Sequence, residues 1–401
     1  MSEKNTTVPA SDSQIVAFPP HMRALSGIRF FAIFHIFLFH LWTIHSIPFP
    51  EPLNLLLIDF VRLPDTVTGY ISNGWMSTSF FFLLSGFMLA YLYWGEDGKI
   101  TTKPRRFLFL RLSRIYPIHI LVMVVLLVMG IKGMIWFDNR SFWDLVSSFL
   151  STLTLTQAWY PPYVPVWSWP SWNLSAIVFL YCISPWLMLV LGKLSLKKMK
   201  LLLAALPFIS LIPTLIYIVM RQMGHDQGTN GSIFIGSLPL FWVAHFVAGM
   251  LLTKVFSISR FIPSSVNPKH SWISLGDVCL LAVIILACSN IASSFDLRNF
   301  FRHGAMMPLY LIIILDLARG KGLASRIFSL PGMGFIGETG FSIFIWQAVI
   351  MQLCFAMLHA NPALALHQLW MIIGGTVVIA IISTYCFEKP VQKFLRRKYI
   401  K

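Results

Sequence analysis

The stretch LSGIRFFAIFHIFLFH, residues 25–40, decides how this chain reads. It opens an apolar run that continues to about Ile44, close to the twenty or so residues a helix needs to cross a hydrocarbon core. Inside it stand two polar side chains, Arg29 and His40, eleven positions apart. At about 100° per residue, eleven steps return a helix to within about 20° of its starting direction. The pair therefore shares one helix face, separated by roughly 16 Å along the axis. His35 and His45 point elsewhere. Ionisable groups aligned inside a membrane-length helix are costly and by default mark a functional pathway. The bland alternative is an arginine snorkelling to the interface beside an incidental histidine.

The rest of the chain matches that opening. Hydrophobic residues make up 57% of the sequence and charged residues 11%, with a mean hydropathy of +0.73. Soluble domains of this length are not so apolar. Further runs lie near 75–94, 115–131, 143–158, 172–192, 200–220, 236–256, 272–292, 303–318, 335–358 and 368–387. The prediction is an all-α polytopic membrane protein, since a transmembrane barrel would show short alternating segments. The net charge of +16 does not point to nucleic acid. The basic residues sit between apolar runs, where the positive-inside rule places cytoplasmic loops. Residues 1–20 lack the basic-then-apolar order of a signal peptide, so the first span reads as an uncleaved anchor. The five cysteines lie in apolar segments without metal or redox spacing and read as buried free thiols.

Loop charges order the spans. The loops at 95–114, 193–200, 254–270 and 319–334 and the tail after Glu388 are basic. Those at 46–74, 132–142, 221–235, 293–302 and 359–367 carry few basic residues. Alternation holds if both termini are cytoplasmic. One run breaks parity. Residues 132–142 belong outside and 193–200 inside, and 172–192 alone makes that crossing. The Ser- and Thr-rich run 143–158 must then begin and end outside, as a re-entrant or interfacial segment. About ten transmembrane helices remain. The domains follow as a cytoplasmic tail (1–22), a membrane domain (23–390) and a basic cytoplasmic tail (391–401), in a multi-pass protein of a cell membrane, read as the bacterial inner membrane.

Several motifs carry chemistry, each with a plainer reading beside it. Ser85-Gly86 places small residues mid-helix, which permits close backbone approach to a neighbour or a ligand. Arg105, Arg106, Arg111 and Arg114 precede a span on the cytoplasmic side. Arginine forks match phosphate geometry and suit a phosphate-rich cosubstrate such as acyl-CoA; the plainer role is positive-inside anchoring. Tyr116-Pro117 reads as the start of that span. The outer stretch WYPPYVPVWSWPSW, 159–172, offers Trp167, Trp169 and Trp172 as faces for sugar rings, or as an aromatic belt. Glu338 sits in a first helical turn, and Glu388 reads as an interfacial partner of Lys389. His119, His245, His303, His359 and His367 have no metal spacing, so no metal site is expected.

Taken in order, Arg29-x10-His40, FFFLLSGF (80–87), RLSRIYP (111–117), SWNLS (171–175), FVAGM (246–250), GETGFSIFIWQ (337–347) and FEKP (387–390) resemble the membrane acyltransferase 3 family over nearly the whole chain. That resemblance implies transfer of an acyl group, usually acetyl, from cytoplasmic acyl-CoA to hydroxyls of glycans, glycolipids or smaller molecules. It implies no permanently bound cofactor, with acyl-CoA (acetyl-CoA) as cosubstrate. By the same resemblance His40 matches the family's catalytic histidine and Arg29 its partner. Arg111 and Arg114, with Arg105 and Arg106 beside them, match arginines near the acyl-CoA. Ser85 and Gly86 match the small-residue turn beside the donor channel. The acceptor would meet Trp167, Trp169, Trp172 and Asn173. The sequence departs from the family pattern at Ile177, where an acid is usual, at Gln347, where a histidine is frequent, and at Ser26, where an aspartate is common. The rival readings are a transporter or flippase lined by the Arg29–His40 face, and an acyltransferase-like protein without activity.

Overall fold

Helix is the structure that lets apolar runs of this length satisfy their own backbone groups in hydrocarbon. The computed structural model describes residues 22–46, 60, 62–95, 97–135, 137, 140–224, 229–258, 272–289, 294–361 and 368–399. The N-terminal tail and parts of the loops expected at 46–74, 254–270 and 359–367 lie outside them. Among the described residues there is no strand, only a single bridge between Trp94 and Ile100.

The chain opens with α1 (Arg23–His45), a short α2 (Asp65–Ser72), α3 (Met76–Tyr93) and α4 (Pro104–Ile131). Next, α5 (Phe142–Leu153) leads through three 3-10 turns to α6 (Trp172–Gly192). There follow α7 (Leu196–Ile209), α8 (Ile212–Gln222), α9 (Thr229–Ser237), a 3-10 turn at Pro239–Trp242 and α10 (Val243–Ile258). α11 (Leu275–Ala287) and α12 (Phe295–Phe300) lead to a π-helical turn (Phe301–Ala305), α13 (Met307–Ala318) and α14 (Gly322–Phe328). The last elements are α15 (Met333–Ala360), α16 (Gln368–Ser383), a second π-helical turn (Thr384–Glu388) and α17 (Lys389–Tyr399). Among the described residues eight stretches are long and apolar enough to cross a membrane, or nine if the bent pair Asp296–Ala305 and Met307–Ala318 counts as one span. The expected span near 272–292 holds α11, whose thirteen residues reach only about 20 Å.

α1 and α15 run parallel, with Gly337 beside Arg29 and Gln347 beside His40. α3 runs the other way, from the His35 end of α1 down to the ring of Tyr93 under Arg111. The bundle thus has a basic end, where α1 and α4 begin, and an aromatic end, where α4 finishes near Trp167. The α3–α10 contact is the most intimate in the molecule. A Cβ on Gly86 would overlap the Phe246 carbonyl oxygen, and one on Gly249 would overlap the Leu83 carbonyl oxygen. Two glycines therefore let two backbones touch.

The segment predicted to begin and end on one side is re-entrant. Ser141 caps α5 by accepting the Asp144 N–H at 3.2 Å, and Arg140 pairs with Asp144 at 2.8 Å. α5 then descends until the Thr152 carbonyl meets His119 Nε2 at 2.9 Å and the Thr154 carbonyl accepts from Tyr116 Oη at 3.2 Å. His119 lies twelve residues before the end of α4, so α5 reaches roughly 18 Å below that end. The chain turns at Leu155, at a φ of 58°, and is back beside Gly130 by Trp167.

Three expectations need correction. Tyr116-Pro117 does not start a span: α4 begins at Pro104 and Pro117 lies inside it. The leucines and arginines of RRFLFLRLSR are good helix formers and simply extend the helix, with Pro104 at its tolerated first position. The arginines read as loop residues are therefore helical. Cys182 and Cys386 are exposed rather than buried, on an apolar surface that suits a thiol as well as an interior does. Glu388 is buried rather than interfacial, and Lys389 pairs with Glu338 instead.

Candidate active site

α1 presents Arg29 and His40 to α15, and the two side chains build separate poles. At the basic pole, Arg29 Nη2 donates to the Gly337 carbonyl at 3.3 Å. The approach is close because Gly337 has no Cβ: one there would stand 2.8 Å from the Ser26 carbonyl oxygen. Arg114, Arg111, Tyr181 and Glu388 surround Arg29 within electrostatic reach. Arg111 lies over the Tyr93 ring at 4.5 Å and the Tyr181 ring at 5.7 Å. Glu388, in the second π-helical turn, accepts from Ser342 Oγ at 2.8 Å and Gln392 Nε2 at 2.9 Å. Arg29 and Arg114 thus lie within electrostatic reach of a buried carboxylate, with Arg111 beside Arg29. Arg105 and Arg106, at the start of α4, are exposed.

At the other pole, His40 Nδ1 lies 3.1 Å from Gln347 Oε1. The amide is oriented by its nitrogen, which donates to the Phe344 carbonyl at 2.7 Å. Its oxygen therefore faces the imidazole and can only accept, so Nδ1 carries the proton. Among the described residues the Nε2 atom of this buried imidazole has no partner, the arrangement a general base needs. Gln347, a departure from the family pattern, sets this tautomer.

The residues expected to meet an acceptor separate. Trp172 is buried against Phe82 and Trp242, with the Arg302 guanidinium over its ring at 5.7 Å. Asn173 follows it in α6, buried, with Oδ1 unpartnered. Trp169 lies in the last 3-10 turn, which packs against α15. Trp167 belongs elsewhere: its Nε1 donates to Ser148 Oγ at 3.1 Å, and its ring packs on Phe137 and Phe149. It pins the re-entrant segment. Trp167→Ala is expected to destabilise the protein by about 3–5 kcal/mol and Ser148→Ala by about 1 kcal/mol, read as lower melting temperatures in detergent. A Trp167→Ala protein that melts like the parent would return this ring to the acceptor. Gly86 is a packing residue of the α3–α10 contact, and Ser85 lies beside it. Ile177 is buried in the core.

Three groups escaped the sequence reading. Arg302 stood in a loop with few basic residues, and His245 and His303 had no metal spacing. In the fold they meet around Trp242, whose ring centre lies 5.3 Å from His245 and 5.0 Å from His303. Arg302 lies within electrostatic reach of His40. The signal available was Arg302-His303 at the head of an apolar run.

Comparisons with known proteins agree with the motif order. The family described as "Acyltransferase domain" matches residues 22–388. Peptidoglycan O-acetyltransferase OatA of Listeria monocytogenes is 22% identical over 352 residues, covering 81% of this chain and 52% of that protein. Acyltransferase MdmB of Streptomyces mycarofaciens is 28% identical over 177 residues, covering 42% of this chain and 39% of that protein. The chain therefore spans about half or less of the length of these relatives. No solved structure matches. With the match running from Met22 at the head of α1 to Glu388 between the basic pole's arginines, this chain belongs to the acyltransferase domain family.

Proposed function

We propose that this protein transfers an acyl group, most simply acetyl, from acyl-CoA to a hydroxyl of a cell-surface glycan or glycolipid. One observation carries the reading: a single buried helix face holds an arginine at one pole and, roughly 16 Å away, a histidine with a free Nε2. CoA carries its phosphates and its thioester at opposite ends of an extended arm, which suits two such poles. Arg111 and Arg114 take the phosphates, and Arg29 lies between them and the reacting end. The acceptor hydroxyl gives its proton to His40 Nε2 as its oxygen attacks the thioester carbon. The C–O bond forms, the C–S bond breaks, and the imidazolium returns the proton to the departing CoA thiolate. A peptidoglycan O-acetyltransferase among the relatives favours a glycan as acceptor.

The donor side has its own test. Arg111→Ala or Arg114→Ala is expected to raise the KM for acyl-CoA roughly ten- to a hundredfold, the loss of one charge-assisted contact, with the acceptor KM nearly unchanged. Lysine rescues poorly because it lacks the planar fork. An unchanged donor KM with only lower abundance would return both arginines to anchoring.

Sidedness follows from the same reading, with the basic pole cytoplasmic. The sequence alone suggests Gly98 and Ser168 as cysteine probes, but Gly98 has a φ of +76° and abuts Gly192, and Ser168 is buried. Lys99 and Tyr160 are exposed at opposite ends of the bundle. In a background without native cysteines, Tyr160→Cys is expected to react with an impermeant thiol reagent in intact cells and Lys99→Cys only after lysis. Equal labelling in intact cells would overturn the orientation.

A further inference from the structure

The half of the bundle around His40 holds a cation that the transfer step does not use. Arg302 stands in the π-helical turn where the span Asp296–Ala318 bends by 40°, and such turns recur at functional sites. Its guanidinium lies over two indole faces, 5.1 Å from the Trp242 ring centre and 5.7 Å from that of Trp172. Nη2 donates to the Gly236 carbonyl at 3.3 Å, an oxygen that also accepts from Trp242 Nε1 at 3.2 Å. The Nε–H is buried and has no partner. His245 and His303 are fully buried beside it; the His245 ring lies within reach of the Arg302 backbone carbonyl, and neither His303 nitrogen has a partner among the described residues. Among the described residues no carboxylate forms an ion pair with Arg302.

Two features point to a ligand. Arg302 is half-buried, whereas Trp242, His245 and His303 beside it have no exposed surface. Withdrawing a guanidinium from water without a counter-ion costs several kcal/mol, whereas a cation–π contact returns about 0.5–2 kcal/mol. An anion reaching the guanidinium would supply the missing counter-charge, while the indoles of Trp242 and Trp172 hold the cation in place.

We infer that Arg302 seats an anionic group, a carboxylate or a phosphate, carried by the sugar that receives the acyl group. The inference rests on the acyl-transfer reading for the identity of that sugar as acceptor. Arg302 then orients the acceptor beside His40 rather than taking part in proton transfer, and the site discriminates against neutral sugars.

The test uses the full chain in lipid nanodiscs and three probes: N-acetylglucosamine, N-acetylmuramic acid and N-acetylglucosamine 1-phosphate. Binding is read by isothermal titration calorimetry. At least one anionic sugar is expected to bind about tenfold or more tightly than the neutral one, the scale of one charge-assisted contact. The better of the two tells carboxylate from phosphate. Arg302→Gln is expected to abolish the preference and Arg302→Lys to keep part of it, while CoA binding by both stays at the parent level. Equal binding of all three probes by the parent protein, a reading that needs no variant, overturns the inference. So does an Arg302→Gln protein that keeps the preference. Thioester turnover, measured separately, tests acyl transfer itself. Turnover without anion preference removes this inference alone, and anion preference without turnover removes the acyl-transfer reading and leaves the anion site standing.

Discussion

His40→Ala is expected to lower acyl transfer by roughly 100- to 10,000-fold, the usual cost of losing a general base, while the protein still folds and binds CoA. The reason is geometric. Gln347 holds the proton on Nδ1, so among the described residues Nε2 is the free base on the face that Arg29 shares. Alanine removes that lone pair and leaves the arginines at the basic pole in place. The neighbouring histidine makes the comparison informative in an unexpected way. His35 is not idle: Nε2 donates to the Tyr70 carbonyl at 2.7 Å, Nδ1 meets Ser77 Oγ at 2.9 Å, and the ring stacks on Tyr70 at 4.1 Å. Both its nitrogens are occupied, so it cannot serve as a base. It ties α1 to α2 and α3. His35→Ala is therefore expected to cost stability, about 1–3 kcal/mol for the hydrogen-bonding groups left unpaired, with turnover per folded molecule close to the parent's. Near-normal turnover in His40→Ala at equal abundance would refute the mechanism and favour a transporter.

The second large effect is on folding. Gly86→Ala and Gly249→Ala each place a methyl group on a backbone carbonyl of the opposite helix. Overpacking costs about 1–3 kcal/mol where side chains can move aside; here the obstacle is backbone, so the expected loss is at the upper end or beyond. Folded yield and melting temperature should fall sharply in both variants, and binding of every ligand should fall in proportion. A Gly86→Ala protein that folds normally but shows a raised KM for acyl-CoA alone would restore the donor-channel role that the family resemblance implies for this glycine.

The pole residues differ in how far they could be read in advance. Arg29 and His40 lie in one helix, where a fixed rotation per residue makes their shared face a matter of counting. The re-entrant segment was equally accessible, because loop charge imposes a parity that one short, hydroxyl-rich run could not meet. Local propensity was less reliable. Pro117 looked like a helix start because proline is favoured there, but the preceding leucines and arginines carry the helix back to Pro104.

Features that depend on a single segment are legible along the chain: the apolar spans, the Arg29–His40 face, the dip of α5 and the family. Features that depend on which segments meet are set by packing. Gln347 lies 307 residues beyond His40, and Glu388 and Arg302 reach their poles through π-helical turns in separate spans. Trp167 and Trp172, five residues apart in an aromatic run, serve different neighbours. Helical periodicity fixes the direction a side chain takes from its own axis; the partner it finds there is set by packing between helices far apart in the chain.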